Sequence, residues 1–482
     1  MPRPDMPVHG YTGAIRTLAV IDFEAETLMT TLQTAAAAGI PRHNSLLRIL
    51  GVGFGVAVVI GGTVGVGILR SPGAVAAHLG SGGLILLVWT LGGLYTLLAA
   101  NNTAELATMM PRAGGPYVYA RRAYGDYGGF VVGWSDWMLN TLPLSFMTIV
   151  FGEYMSSLFV PFPGNVQLFG VSILLLLTAI NWTGLRAGSR TQKVTSVLKA
   201  LALLGFVAAA FLLGGHREFA GPAPAEAARG TFATVVACVL SFQLVLSAFG
   251  GWNAVIYFAE EDTDPRRNIP RSLFGGIALI IVIYLLVNAA LLYVLPMQVM
   301  ATSKFAGADA INVIFGARSG QIVTALALLS IIGILNALLM FVPRVLLALG
   351  RDGLFWRKAA SVNAKGTPTV ALACTVLPAI VMAVVGSFEM LLAISEFFAV
   401  TIVILLIGAL FILRWREPES PRPYRAWGYP FAPALMLVLA IALFVAYIVS
   451  NPLNSLYAIA FLLASYPVYR AVRHNAGNAR EP

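Results

Sequence analysis

The chain has 482 residues, 58% of them hydrophobic and only 11% charged, with a net charge of +10 and a mean hydropathy of +0.82. Soluble domains carry about 25% charged residues, so a soluble fold is excluded; apolar runs of about 20 residues likewise exclude the short alternating strands of an outer-membrane barrel. The basic residues sit in short loops between apolar runs, which argues against nucleic acid as a partner.

Residues 1–47 lack a long apolar run and do not resemble a signal peptide, so a cytoplasmic N-terminal tail is expected there. Apolar stretches follow at roughly 50–78, 83–110, 128–155, 167–184, 194–214, 232–258, 272–295, 319–348, 369–386, 390–413, 431–450 and 453–470. They predict an all-α integral membrane protein with twelve transmembrane helices. Loops on one side hold Arg112, Arg121, Arg122, Arg186, Arg190, Lys193, Arg266, Arg267, Arg271, Arg351, Arg357, Lys358, Lys365, Arg414, Arg416, Arg422 and Arg425; the opposite loops hold only Arg217, Arg229, Lys304 and Arg318. The positive-inside rule then predicts a multi-pass cell-membrane (inner or plasma membrane) protein with both termini cytoplasmic. Cys238 and Cys374 both lie inside apolar spans, so no disulfide-linked partner chain is expected.

Two spans are interrupted by glycine. The first carries Gly61-Gly62-Thr63-Val64-Gly65-Val66-Gly67, the second Ala248-Phe249-Gly250-Gly251-Trp252. Glycine is a poor helix former, and backbone groups freed inside a membrane are tolerated only where they line a cavity or meet a ligand. Glycine interruptions at corresponding places in two halves of a chain point to the binding site of a secondary transporter. The interrupted spans are the first and the sixth, and they enter from opposite sides. A five-plus-five inverted repeat with broken helices 1 and 6 is therefore expected: residues 48–214, then 231–413, then two additional helices at 431–472 and a cytoplasmic tail at 473–482. A membrane enzyme is not supported, because HExxH, CxxC, Gly-x-Ser-x-Gly and Walker patterns are absent from the sequence. No cofactor or metal is expected.

Four motifs carry a resemblance. They are Gly65-Val66-Gly67-Ile68-Leu69-Arg70-Ser71-Pro72; Ala104-Glu105-Leu106-Ala107-Thr108-Met109-Met110-Pro111-Arg112-Ala113-Gly114-Gly115-Pro116-Tyr117; Gly250-Gly251-Trp252-Asn253 with Glu260-Glu261 and the run from Pro265 to Arg271; and Leu413-Arg414-Trp415-Arg416-Glu417-Pro418 with Arg422-Pro423-Tyr424. In this order the chain resembles the amino acid–polyamine–organocation superfamily, and within it the L-type amino-acid transporter branch and its bacterial relatives. The resemblance implies alternating access around a midplane site, with an amino acid as substrate, lipid around the helices, and either exchange or proton-coupled symport.

An amino acid presents a carboxylate and an ammonium. The N-terminal end of the outer half of span 1 suits the carboxylate, through the backbone N–H groups of Gly65, Val66 and Gly67. Free carbonyls at Val59, Ile60, Ser247, Ala248 and Phe249, with Gly250 beside them, suit the ammonium. Glycine and alanine dominate these breaks, which favours a neutral substrate; an amine or polyamine carrier on the same fold is the alternative, and a net acidic pocket would favour it. Lys199 is a charge inside a span and hence a functional candidate. The resemblance implies that it stands where sodium-coupled relatives hold an ion, bridging span 1 carbonyls and a span 8 hydroxyl, for which Ser330 is the candidate. Phe249, Arg70, Glu105 and Glu260 are gate candidates. Asp136 and Asn140, four apart on span 3, share a face. Glu105, Glu260 and Glu261 are expected near Arg271 or Arg344, and Arg70 near Glu396 or Glu153.

Overall fold

In hydrocarbon every backbone N–H and C=O must be satisfied within the protein, and helices do this locally. The computed structural model describes residues 45–65, 67–158, 165–214, 231–303, 305–316 and 319–478; nearly all of the expected N-terminal tail lies outside them. The chain order is α1 (Val52–Thr63), α2 (Gly67–Leu79), α3 (Gly82–Met109), α4 (Pro116–Leu158), α5 (Asn165–Trp182), α6 (Leu185–Leu213) and α7 (Thr231–Ala248). A 3₁₀ segment, Trp252–Phe258, then leads to α8 (Pro265–Val294), α9 (Met297–Thr302), α10 (Ala306–Phe315) and α11 (Gly320–Arg351). A short 3₁₀ turn at Arg357–Ala360 precedes α12 (Thr369–Val385), α13 (Phe388–Arg416), α14 (Phe431–Ser450) and α15 (Pro452–Asn478). Among the described residues extended pairing is limited to the single bridge between Leu50 and Asp262.

Eight of these helices are long and apolar enough to cross a membrane, or nine if α1 and α2, bent by 46° at their junction, count as one span. α4, and the shorter apolar helices Val166–Trp182 and Thr369–Val385, fall where three further spans are expected. Leu175, Leu176, Leu201, Leu212, Val438 and Leu463 are exposed, as a lipid-facing surface requires.

α1 is held from two sides. From α6, the Ser196 hydroxyl donates to Ala57 O at 2.7 Å. From α8, Ser272 packs into the notch at Gly55, where a Cβ would stand 2.1 Å from its Oγ. The same logic at Gly276 admits the Val59 side chain, 2.6 Å from a would-be Cβ. Small residues let the backbones approach, which is how membrane helices pack without a hydrophobic driving force.

The sequence motifs meet at the arginine-rich end. Between α3 and α4, Gly114 and Gly115 have φ of 114° and 53°, a turn that favours glycine, and Tyr257 fills the space over Gly115. The Ala113 amide donates to Glu260 at 3.2 Å, and Glu260 pairs with Arg351 at 2.8 Å. Glu261, with 0% of its side chain exposed, receives both Nε (2.5 Å) and Nη2 (2.7 Å) of Arg344. Asp352 takes Arg121 at 2.6 Å and the Tyr117 hydroxyl at 2.9 Å. Glu105 is buried against Arg414 and Arg422 and accepts the Ala426 amide at 2.7 Å. Its partners are therefore the last turn of α13 and the loop that follows it, not Arg271 or Arg344. Of the three glutamates only Glu261 meets the expected Arg344; Glu260 pairs with Arg351 one helix end further on, and Glu105 is held by Arg414 and Arg422 because α3 crosses α13 there.

Candidate substrate site at two helix breaks

The first break is closed by its own chain and by two neighbours. α1 continues through Gly61 and Gly62 and ends at Thr63, where the Val64 amide bonds Ile60 O at 2.8 Å. Val59 and Ile60 therefore lie within the helix and their carbonyls are not freed. The glycine pair does not stop the ladder; the freed carbonyls begin one position after Ile60. Gly61 O and Val64 O accept the Lys199 ammonium at 3.1 and 2.5 Å, and Thr63 O accepts the Tyr284 hydroxyl at 3.2 Å. Gly61 itself has no room for a side chain, since a Cβ would lie 1.8 Å from the Gln192 amide nitrogen.

α2 begins at Gly67, so the N–H groups of its first turn have no partner within the helix and carry the positive end of its dipole. Gly65 faces Ile334 of α11, and Gly67 faces Ala248, whose Cβ is 3.6 Å from a Cβ built on the glycine. Val66 lies outside the described residues.

The second break follows α7. Phe249 and Gly250 turn back onto Val245, Leu246 and Ser247 carbonyls, and Gly251 sits at φ 92°. A Cβ there would stand 2.4 Å from Gly62 O, so the two breaks touch backbone to backbone. Tyr284 ties them together: its hydroxyl also reaches Ala248 O at 2.8 Å. Phe249, 1% exposed, packs against Tyr284 (5.0 Å between centroids) and Trp89 (6.2 Å).

Of the other expected residues, Ser330 is not among the partners of Lys199. α11 presents Gly333 there instead, with a would-be Cβ 3.0 Å from the Nζ. Arg70 is exposed and stands over the Phe388 ring at 5.7 Å, and its charge acts on Glu153, one of its two expected partners. Asp136 is fully buried, accepting the Tyr257 hydroxyl (2.7 Å) and the Asn140 amide (3.1 Å). Among the described residues no group of three His, Cys, Asp or Glu could hold a metal.

Three contributors went unnoticed in the sequence: Gln192, Ser196 and Tyr284. Gln192 and Ser196 are spaced from Lys199 by seven and three, a polar stripe on one face of α6, and this spacing could have revealed them. Tyr284 carried no local signal, being a lone hydroxyl in an apolar run.

A bundle of apolar helices with two facing, glycine-lined breaks, the first closed by an ammonium and the pair bridged by a hydroxyl, defines a multi-pass membrane protein of the carrier class. The family model for amino acid permeases matches residues 54–465, and the chain belongs to that family. It is similar to the serine/threonine exchanger SteT of Bacillus subtilis (28% identity over 89% of this chain and 98% of that protein). It is also similar to the b(0,+)-type amino acid transporter 1 of Mus musculus (29%, over 89% and 88%). A third relative is the large neutral amino acids transporter small subunit 2 of Homo sapiens (28%, over 88% and 80%). The chain is a transporter and not an enzyme.

Proposed function

We propose that this protein carries neutral amino acids across the cell membrane by alternating access, without sodium, as an exchanger or a proton-coupled symporter. The observation that carries the reading is the Lys199 ammonium on Gly61 O and Val64 O. It supplies at the first break the positive charge that a metal ion would otherwise bring, and it leaves the opposite face of the break, the first turn of α2, to an anion. The substrate carboxylate sits on the N–H groups of Gly65, Val66 and Gly67. The α-ammonium sits on carbonyls of the second break at Ser247, Ala248 and Phe249, beside Gly250. Each carbonyl has two lone pairs, so the Tyr284 bond to Ala248 O leaves one for a ligand. Phe249, wedged between Trp89 and Tyr284, closes one side.

The eight or nine membrane-length helices among the described residues support the architecture, which we read as twelve spans in two inverted five-helix repeats (48–214 and 231–413) and two further helices (431–472). The positive-inside pattern supports cytoplasmic termini, and with the short loops it supports the inner or plasma membrane. Glu260 with Arg351, below the second break, serves as inner gate; Arg70 faces the outer mouth. Glu105 is assigned to the static clamp on α13 rather than to a gate. An amine or polyamine carrier is the second reading, favoured by the carboxylate of Glu396 inside α13.

Uptake of labelled L-serine into proteoliposomes loaded with unlabelled L-serine tests the proposal. Uptake that depends on internal amino acid or on a proton gradient, and that is unchanged when choline replaces sodium, is the expected outcome. Strict sodium dependence would overturn the role given to Lys199; transport of putrescine but of no amino acid would favour the second reading.

A further inference from the structure

Hydrogen bonds gather two loops at the foot of α6. The Asn363 side-chain amide donates to Trp182 O at 3.1 Å, the Thr367 hydroxyl to Asn181 O at 2.9 Å, and the Leu185 backbone amide to Lys365 O at 3.1 Å. Gly184, at φ 141°, leaves room for the Lys365 side chain, whose Cβ is 2.7 Å from a Cβ built on the glycine. Lys365 is thereby held against Gly184, two residues before Arg186.

α6 has an inner and an outer side. Gln192, Ser196 and Lys199 are buried and bond to α1 and α11. On the outer side Arg186, Arg190 and Lys193, spaced by four and three, are exposed and share a stripe. The stripe continues through Val194, Val197, Leu201 and Leu204, all exposed. From Val194 to Leu204 is about 15 Å along the axis, half the thickness of a hydrocarbon core. Trp182, exposed at the end of α5, is an aromatic of the kind enriched at a membrane interface.

The chain supplies no counter-charge for these cations. Between Glu153 and Glu218, and again between Asp352 and Glu389, the sequence contains no Asp or Glu. Among the described residues none of Arg186, Arg190, Lys193 and Lys365 enters an ion pair. Arg121, Arg344, Arg351 and Arg414, by contrast, each meet a carboxylate. Clustered like charges left unpaired set up a positive field that draws an anion. A free anion would use the cations alone. The apolar stripe that runs on from them, one leaflet deep, suits a ligand with an anionic head and hydrocarbon tails.

We propose that Arg186, Arg190, Lys193 and Lys365 bind the phosphate headgroup of an anionic phospholipid, whose acyl chains lie along Val194, Val197, Leu201 and Leu204. Basic residues at the foot of a membrane helix attract anionic headgroups in this way. The site is on the helix that carries Lys199, across from the first break.

The test uses purified full-length protein in phosphatidylcholine vesicles. One series receives a rising share of phosphatidylglycerol brominated on its acyl chains, and a parallel series receives brominated phosphatidylcholine. Bromine quenches tryptophan on contact, and the signal of Trp182 is the difference between each protein and its W182F counterpart. Wild type is expected to favour the anionic lipid at this position by at least about fivefold. R186Q/R190Q/K193Q should bring the ratio close to one, whereas R186K/R190K, which keeps the charge, should retain most of it. R470Q/R473Q removes two exposed cations on α15 and should leave the ratio unchanged. A wild type without preference, or an equal loss in R470Q/R473Q, would overturn the proposal. So would displacement of the anionic lipid by millimolar inorganic phosphate, which would assign the cations to a free anion.

Discussion

The arginine-rich end and the middle of the bundle treat buried charge in opposite ways. At the end, charge meets charge: Glu261 with Arg344, Glu260 with Arg351, Glu105 with Arg414 and Arg422. In the middle, charge meets dipole: Lys199 on two carbonyls, Asp136 on a phenol and an amide. Opposite charges saturate one another and fix helix ends in place. A charge held by dipoles keeps most of its field, so it can still respond to a charged ligand or to a proton. The end is a clamp, and the middle is where binding can be felt.

The largest effect expected from this contrast is at the clamp. Glu261→Ala leaves the Arg344 guanidinium, 4% exposed, without its bidentate partner. Removing one partner of a buried ion pair destabilises by about 3–5 kcal/mol. The expected outcome is a large loss of thermal stability in detergent, with a double variant Glu261→Ala, Arg344→Met recovering most of it. A single variant as stable as wild type would break the comparison.

Lys199→Ala should act differently. It removes a charge that has no counter-charge, so no partner ion is stranded; two carbonyls lose hydrogen bonds to a cation, each contributing about 1.5–3 kcal/mol. Transport should fall at least about tenfold while the folded protein is still recovered, because the break loses its shape before the bundle does. Uptake at the wild-type rate would show that the ammonium only fills space. Smaller again is Tyr284→Phe, which removes one hydroxyl shared by Thr63 O and Ala248 O. A loss of about 0.5–1.5 kcal/mol in stability is expected, with weaker substrate binding, since that one atom sets the spacing of the two breaks.

Much of this was legible in the sequence, for definable reasons. The spans follow from runs of apolar residues, and Lys199 stands out because a charge inside such a run is rare. Glycine clusters located the breaks but not their register. Gly61 and Gly62 look like the interruption, yet they sit in helix because Gln192 and Gly251 need the space that their missing side chains leave. The helix opens only after Thr63, which is why Val59 and Ile60 were expected among the freed carbonyls and are not. Ser330 was the hydroxyl nearest in sequence pattern, but rotation of α11 turns Gly333 to Lys199 instead. Tyr284 acts across helices far apart in the chain, and no local periodicity records such a pairing. The pairing of Glu105 with Arg414 likewise depends on how α3 and α13 cross.

The smallest expected effect lies at the clamp's solvent-exposed rim and sharpens the contrast by its size. Glu417 accepts Arg122 Nε at 3.1 Å and Nη2 at 2.5 Å, and this pairing holds its carboxyl below the usual range for glutamate. A depressed carboxylate contributes stability that is fully present above the unfolded-state value, about 4.3, and is lost as the pH falls through the folded value. Because both partners are partly exposed, the contribution should stay under about 1 kcal/mol and shrink with salt. Thermal unfolding of wild type and Glu417→Gln between neutral and acidic pH measures it. The two should differ slightly at neutral pH and converge once Glu417 is protonated. A gap that widened on acidification would reverse the sign and remove Glu417 from the clamp.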